Sequence, residues 1–293
     1  MKIAILGAST AKESIRLKEE AEKRNHSLGL ISYCDLSFIF QPQAKILIGN
    51  SDLAKKYDVL IIRGLTKNTA AALIVAHYMH YHHKIVIDRK LANKQFFLGK
   101  QRTSYNFTIN NLSKPDTWYF LGSKNIRANL KKVKYPAIIK DVLGKRSKKI
   151  YRIDNQKEAI AFFQKQKSND FLIQNLIPTN TYIRIFIIAG IVIGAISRTK
   201  VRAIPKPGHE IKAGVKSKPL KINQKLKKLS LQAAKVVKND ICGVDILEYQ
   251  GKYYVIEANR SPMFSAFEKI TGINVAAEII NFIEKLYLKN CGE

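Results

Sequence analysis

Up to Asp88 the chain alternates short apolar runs rich in β-branched residues with stretches of helical periodicity, and beyond Pro115 strand follows strand. That change of period limits the fold more than any other feature. Lys2 to Gly7 reads as a buried strand leading into an amphipathic helix over Thr10 to Arg24. Leu28 to Tyr33, Tyr57 to Arg63 and Lys84 to Asp88 read as further strands, with a helix over Asn68 to His80. Such alternation implies a parallel sheet with helices on both faces. Asp88 to about Phe107 reads as helical. After Pro115, strands are expected at Tyr135 to Asp141, Lys149 to Ile153, Phe171 to Leu176, Tyr182 to Ile188 and Ile191 to Arg198, interrupted by helices at Ser123 to Lys132 and Gln156 to Gln166. A mostly antiparallel α+β arrangement follows from that pattern. Leu220 to Asn239 reads as a helix, and Met263 to Thr271 and Val275 to Lys289 as closing helices. The predicted class is therefore α/β joined to α+β. Lys200 to Pro219, with three prolines, two glycines and five lysines, reads as a mobile flap.

At 293 residues, 46% apolar and 25% charged, the chain can bury a sizeable core divided into two or three lobes. The longest apolar run, Ile185 to Ile196, holds twelve residues around Ala189-Gly190, against the roughly 18 to 20 that span a bilayer, so it reads as a buried hairpin and no membrane partner is expected. The opening Met1-Lys-Ile-Ala-Ile-Leu-Gly7 lacks the length and cleavage site of a signal peptide, which makes the cytoplasm the expected location. Cys34, Cys242 and Cys291 are too few and too scattered for a disulfide framework or a paired-cysteine zinc site. The 51 basic residues against 22 acidic give a formal charge of +29, which predicts weak affinity for polyanions, ribosomes included. The lysines are spread over the whole chain without an aromatic-interleaved nucleic-acid motif, which argues against specific nucleic-acid binding.

Near the C-terminus, Gly243 to Leu247 and Tyr253 to Ala258 read as a hairpin around Tyr249-Gln250-Gly251. A two-residue loop sets Asp245 opposite Ile256 and away from Glu257, whereas a three-residue loop puts Asp245 and Glu257 on one face. Asn259 shares the face of Glu257 in either case. Three converging oxygen donors suit Mg²⁺, a hard cation that completes its shell with water and phosphate. The same ambiguity attends Arg184 and Arg198. A two-residue Ala189-Gly190 turn separates them, while a three-residue loop through Ile191 makes them diagonal neighbours able to grip a phosphate or carboxylate. Lys140, at the end of a buried strand, calls for an anion such as phosphate.

Read together with Pro136-Ala-Ile-Ile-Lys140, Leu172-Ile-Gln-Asn-Leu-Ile177, Glu257-Ala-Asn-Arg-Ser-Pro262 and Glu268-Lys-Ile-Thr-Gly-Ile-Asn-Val-Ala276, these features resemble the ATP-grasp ligases, and among them the RimK-like family. The resemblance implies an ATP-grasp fold with an N-terminal parallel-sheet domain over 1–90, a central lobe over 91–177 and a C-terminal lobe over 178–293, the lobes gripping ATP. It implies that Lys100 and Lys140 hold the α and β phosphates. Gln174, Asn175, Leu176 and Ile177 would link the lobes and read adenine through their backbone, so that Asn175 can stand where the family has glutamate. Asp245, Glu257 and Asn259 would hold two Mg²⁺ ions, for which Mn²⁺ can substitute, and Arg184 and Arg198 would act on the reacting group. The γ-phosphoryl group of ATP would pass to a substrate carboxylate, and an amino acid amine would attack the acyl phosphate to give an amide, ADP and phosphate. The carboxylate acceptor is either an acidic peptide tail or a small molecule. A homo-oligomer is the family habit.

Several positions depart from the family pattern. The flap Leu143 to Lys149 keeps only Gly144, so either Lys145, Arg146 and Ser147 supply side-chain donors to phosphate or ATP is bound weakly. Tyr182 stands two before Arg184 where an acidic residue is usual, the linker after Ile177 is short, and no asparagine lies near Lys212. The loss of flap glycines favours a second reading, a non-catalytic relative that binds nucleotide or polyanions, and the intact Asp245, Glu257 and Asn259 set opposes it. His77, His80, His82 and His83 sit at a helix end, where histidine commonly answers the dipole. Gly7-Ala-Ser-Thr10 lacks a dinucleotide fingerprint. Arg63-Gly64, at the carboxyl end of a strand, is placed to line a substrate cleft.

Overall fold

Ile3, Ala4 and Ile5 expose no surface, nor do Val59 and Leu60. Continuous apolar runs of this kind suit strands covered on both faces. β1 (Lys2–Leu6) is followed by α1 (Lys12–Lys23) and β2 (Ser27–Ile31), and β2 pairs in parallel with β1. A small antiparallel sheet of β3 (Leu36–Ile39), β4 (Lys45–Ile48) and β5 (Ser51–Asp52) comes next, then the short α2 (Leu53–Lys56). β6 (Val59–Ile62), α3 (Thr69–Tyr81) and β7 (Ile85–Val86) complete a parallel sheet of order β2-β1-β6-β7. The computed structural model describes residues 1–65, 68–92, 99–120, 123–142, 150–166, 170–200 and 215–291.

The remaining chain builds two antiparallel sheets. α4 (Lys100–Ile109), β8 (Thr117–Tyr119), α5 (Ser123–Asn129), β9 (Ala137–Asp141), β10 (Ile150–Ile153), α6 (Gln156–Gln164) and β11 (Phe171–Asn175) give a sheet of order β10-β9-β11-β8. β12 (Thr181–Ile188), β13 (Ile191–Lys200), β14 (Val215–Pro219), α7 (Gln224–Val237), β15 (Ile241–Tyr249) and β16 (Lys252–Asn259) give a second, of order β14-β13-β12-β15-β16. α8 (Ser265–Thr271) and α9 (Val275–Cys291) then return to the first sheet. Val275, Ala276, Ile279, Ile280 and Ile283 of α9, all fully buried, share a cluster with Ile3, Ile5, Leu17 and Ala21, so the last helix covers one face of the parallel sheet. Their spacing is that of one helical stripe. Replacing Ile280 by Ala is expected to cost about 2–5 kcal/mol, seen as a lower urea midpoint at unchanged slope. Among the described residues no helix is long and apolar enough to cross a membrane.

The structure corrects the sequence expectations in four places. Residues 36–52 form a sheet whose strands, two to four residues long, are too short to show a period. Thr117–Tyr119 is a strand for the same reason. Asp88 to Phe107 is not one helix: Asp88 takes a left-handed conformation at φ 61°, Arg89–Ala92 is a single 3₁₀ turn, and α4 starts after Gly99 at φ 134°. Within the stretch read as a flap, 215–219 is not a loop but pairs as β14 along β13; 201–214, Lys212 included, lies outside the described residues, as does 143–149.

Candidate active site

The β14-β13-β12-β15-β16 sheet is oily over one face; the other is polar over one part, while Phe186, Ile188 and Ile196 pack into the core with Phe267 of α8 and Val275 of α9 over the rest. Ile183, Ile185, Ile187, Val244 and Ile246 pack with Leu226, Ala233 and Ala234 of α7. The alternate residues Tyr182, Arg184, Gly243 and Asp245 point the other way. What brings the functional side chains onto that polar face is neither of the loop lengths considered from sequence acting alone. Tyr249 pairs with Lys252, so the turn is the two-residue Gln250-Gly251, with φ of 50° and 71°. A two-residue turn by itself sets Asp245 opposite Ile256. A β-bulge between Asp245 and Ile246 skips Ile256, and Asp245 comes to face Glu257 while Gly243 faces Asn259. The other hairpin repeats the device. Ile188 pairs with Ile191 around Ala189-Gly190, at φ of 50° and 75°, and a bulge that skips Ile193 sets Arg184 opposite Ile196 and Tyr182 opposite Arg198. Arg184 and Arg198 therefore share the face of the two carboxylates.

Asp245, 5% exposed, receives both Nε and Nη2 of Arg184, the latter at 2.7 Å. Asn259 Nδ2 lies 3.5 Å from Asp245 Oδ2. Burial, reinforced by the Asp245 charge, raises the carboxyl of Glu257 above its ordinary value, and Lys100, Lys140 and Arg184 oppose that shift from nearby. Five charged side chains from α4, β9, β12, β15 and β16 thus converge on one spot. Lys100 Nζ donates to the Asp141 carbonyl at 2.9 Å, and burial lowers its affinity for the proton. Lys140 Nζ donates to Gln174 Oε1 at 2.6 Å, and Gln174 Nε2 in turn donates to Thr117 Oγ1 at 3.0 Å. Gln174 is therefore a side-chain anchor for Lys140, a role the sequence reading missed because β9 and β11 meet only in the sheet. The Asn175 and Leu176 amides donate to the Asp116 and Pro136 carbonyls at 3.0 and 2.8 Å; the Ile177 amide has no partner among the described residues. Arg198 stacks on Tyr182 with its guanidinium carbon 5.8 Å from the ring centre, and its buried Nε has no hydrogen-bond partner among the described residues.

Among the described residues no three His, Cys, Asp or Glu side chains cluster as a metal site, the helix-end histidines included. Asp245, Glu257 and Asn259 instead offer two carboxylates and an amide oxygen on adjacent strands, a set of hard donors that fits Mg²⁺ when other oxygens complete the shell. Gly243 is required beside them, because a Cβ there would lie 2.7 Å from Pro262 Cβ and 3.4 Å from Arg184 Cδ. Residues after Asn259 carry a second cluster. Arg260 Nη1 donates to the Ile62 carbonyl at 2.7 Å and to Asp88 Oδ2 at 3.1 Å, and Arg63 Nη2 donates to the Pro262 carbonyl at 3.2 Å. Arg63 was singled out from sequence for its place at a strand end; Arg260, which ties the metal loop to the parallel sheet, was not.

Residues 100–283 match the RimK-like ATP-grasp domain. A protein of Haemophilus influenzae described as "Probable alpha-L-glutamate ligase" is 26% identical over 288 residues, covering 92% of each chain. Among solved structures, the ATP-grasp ligase PsnB with a minimal precursor superposes with a TM-score of 0.73 at 16% identity, over 99% of this chain and 98% of the other. PsnB with a phosphomimetic variant of that precursor, Mg and ADP gives 0.70 at 15%, over 98% of each chain. D-alanine–D-alanine ligase from Bacillus anthracis with ATP gives 0.66 at 15%, over 99% and 97%. These likenesses establish the ATP-grasp fold.

Proposed function

Since the chain belongs to the RimK-like ATP-grasp family, we propose that it activates a substrate carboxylate with ATP and joins it to the amine of an amino acid, glutamate or a close analogue, releasing ADP and phosphate. The observation that carries this reading is the convergence of Lys100, Lys140, Arg184, Asp245 and Glu257 on the polar face of one sheet. Phosphoryl transfer asks little of a protein beyond position and charge. Lys100 and Lys140, each tethered through its neighbours, hold the nucleotide phosphates, and the Ile177 amide donates to the adenine edge. Asp245, Glu257 and Asn259 would hold Mg²⁺, which would supply positive charge to offset that of the transferring phosphoryl group. Arg184 and Arg198 take the acyl phosphate, Arg198 through the Nε that lacks a partner among the described residues. The amine then attacks the activated carbonyl carbon, the C–N bond forms as the C–O bond to phosphate breaks, and the amine proton leaves with the departing phosphate. Glutamate is supported by the name of the Haemophilus relative, and a peptide acceptor by the precursor peptide bound to PsnB.

One observation favours the alternative, a nucleotide-binding relative without turnover: the bidentate grip of Arg184 on Asp245 engages a metal ligand. The test is ADP release from Mg-ATP by the purified protein, offered each amino acid with glutamate-ended peptides or small dicarboxylates as acceptors. Release that depends on the amino acid, with a mass gain of one residue on the acceptor, supports the ligase. Tight Mg-ATP binding with no release under any pairing supports the alternative.

A further inference from the structure

The carboxyl ends of the parallel strands hold a cationic cluster that the chemistry above leaves unused. In the order β2-β1-β6-β7 the chain runs outward from β1 in both directions, so the switch point lies between the carboxyl ends of β1 and β6. Open α/β sheets bind their ligands at such a switch point. Gly7 ends β1 there, and a Cβ on it would lie 2.2 Å from the Arg63 carbonyl oxygen and 2.8 Å from Tyr33 Cε2, so backbone, tyrosine and arginine already crowd together. Arg63 ends β6 and is 6% exposed. Its guanidinium has five N–H donors. Among the described residues one nitrogen is spent, on the Pro262 carbonyl, and the carbon lies 5.9 Å from the Phe264 ring centre.

No carboxylate pairs directly with this cation among the described residues. Glu13 acts on it electrostatically, yet Glu13 Oε1 accepts from Ser265 Oγ at 3.0 Å and Ser265 N at 3.4 Å. Asp88 accepts from Arg260 and from the Asp240 amide. Arg260 is close enough to repel Arg63, and burial brings the Arg63 guanidinium down to about 10. Arg260 also acts on Tyr33, whose buried hydroxyl has no hydrogen-bond partner among the described residues. Two arginines and an unspent hydroxyl make a donor set for an anion, and a planar one suits the guanidinium fork. The reacting centre is near: Pro262, which accepts from Arg63, packs against Gly243, whose position lies against Arg184.

We propose that Arg63, Arg260 and Tyr33 form a subsite for the α-carboxylate of the amino acid whose amine attacks, holding that carboxylate away from the phosphates. The inference rests on the ligase reading for its substrate. It explains how a protein that activates carboxylates avoids activating this one, because a group clamped at the switch point is not offered to ATP.

The test is binding, measured by calorimetry with Mg-AMPPNP present, of each amino acid and of its α-carboxamide. Wild-type protein is expected to prefer the acid by about 10- to 150-fold, the range of a lost hydrogen bond to a charged group. Arg63→Met is expected to abolish the preference at unchanged AMPPNP affinity, Tyr33→Phe to reduce it, and Arg63→Lys to restore part of it. An Arg63→Met protein that binds AMPPNP normally and keeps the preference overturns the proposal, as does a wild type that binds no amino acid by its carboxylate. Amino-acid binding with this preference but no ADP release overturns the ligase reading and leaves the subsite standing. Amino-acid-dependent ADP release with an unchanged preference in Arg63→Met does the reverse.

Discussion

Glu257→Gln is expected to cut ADP formation by at least about a thousandfold, equivalent to about 4 kcal/mol in the barrier, while leaving the melting temperature unchanged or higher. The loss follows from removing one of the two carboxylates on the polar face, whose charge the proposed Mg²⁺ requires. The stability sign follows from the direction of its shift. A carboxyl raised by burial and by Asp245 is harder to ionise in the folded chain than in the unfolded one. Such a group contributes least to stability above its folded value and does not penalise the fold when protonated. Glutamine removes the charge and keeps the shape. A variant that melts lower and loses activity in proportion would assign Glu257 a structural role instead, and full activity would sink the metal assignment.

Arg184→Met is expected to act in the opposite sense on stability. The Arg184 and Asp245 side chains are 14% and 7% exposed and pair through two hydrogen bonds. Removing one partner of a buried pair costs about 3–5 kcal/mol, because the other charge stays behind. Without nucleotide the variant should therefore melt several degrees lower. Added Mg²⁺ should then stabilise it more than it stabilises wild type, since Asp245 no longer has to leave the arginine to meet the cation. ADP formation should fall by about a hundredfold or more, the usual cost of losing a donor aimed at developing charge. Equal Mg²⁺ shifts in the two proteins would show that Asp245 does not meet the ion.

The sequence made the residue types of this site legible, but not how they meet. Alternation along Tyr182 to Ile188 and Gly243 to Leu247 identified which residues share a strand face, and the helix-strand alternation up to Asp88 identified the parallel sheet. Loop length left both hairpins with two registers, and the structure reaches the convergent facing through bulges at Ile193 and Ile256. A bulged isoleucine looks like any other strand residue in a sequence. The tether from Gln174 to Lys140 and the clamp from Arg260 to Asp88 were hidden for a different reason. They join residues 34 and 172 positions apart, and contacts at such separations leave no local pattern.

Those bulges also divide each hairpin into a part that can drift and a part that cannot. As long as Tyr249 stays paired with Lys252 and Ile188 with Ile191, the turn tips can lengthen, shorten or accept a grafted peptide without rotating any side chain near the metal ligands. Ironing out the bulge with Ile256 retained is another matter. Asp245 would then sit opposite Ile256, and Glu257 and Asn259 would turn toward α7. A shift that removes no functional group would erase the site, so an aligner comparing distant relatives should place gaps at the turn tips, and within the strands only at the bulged Ile193 and Ile256.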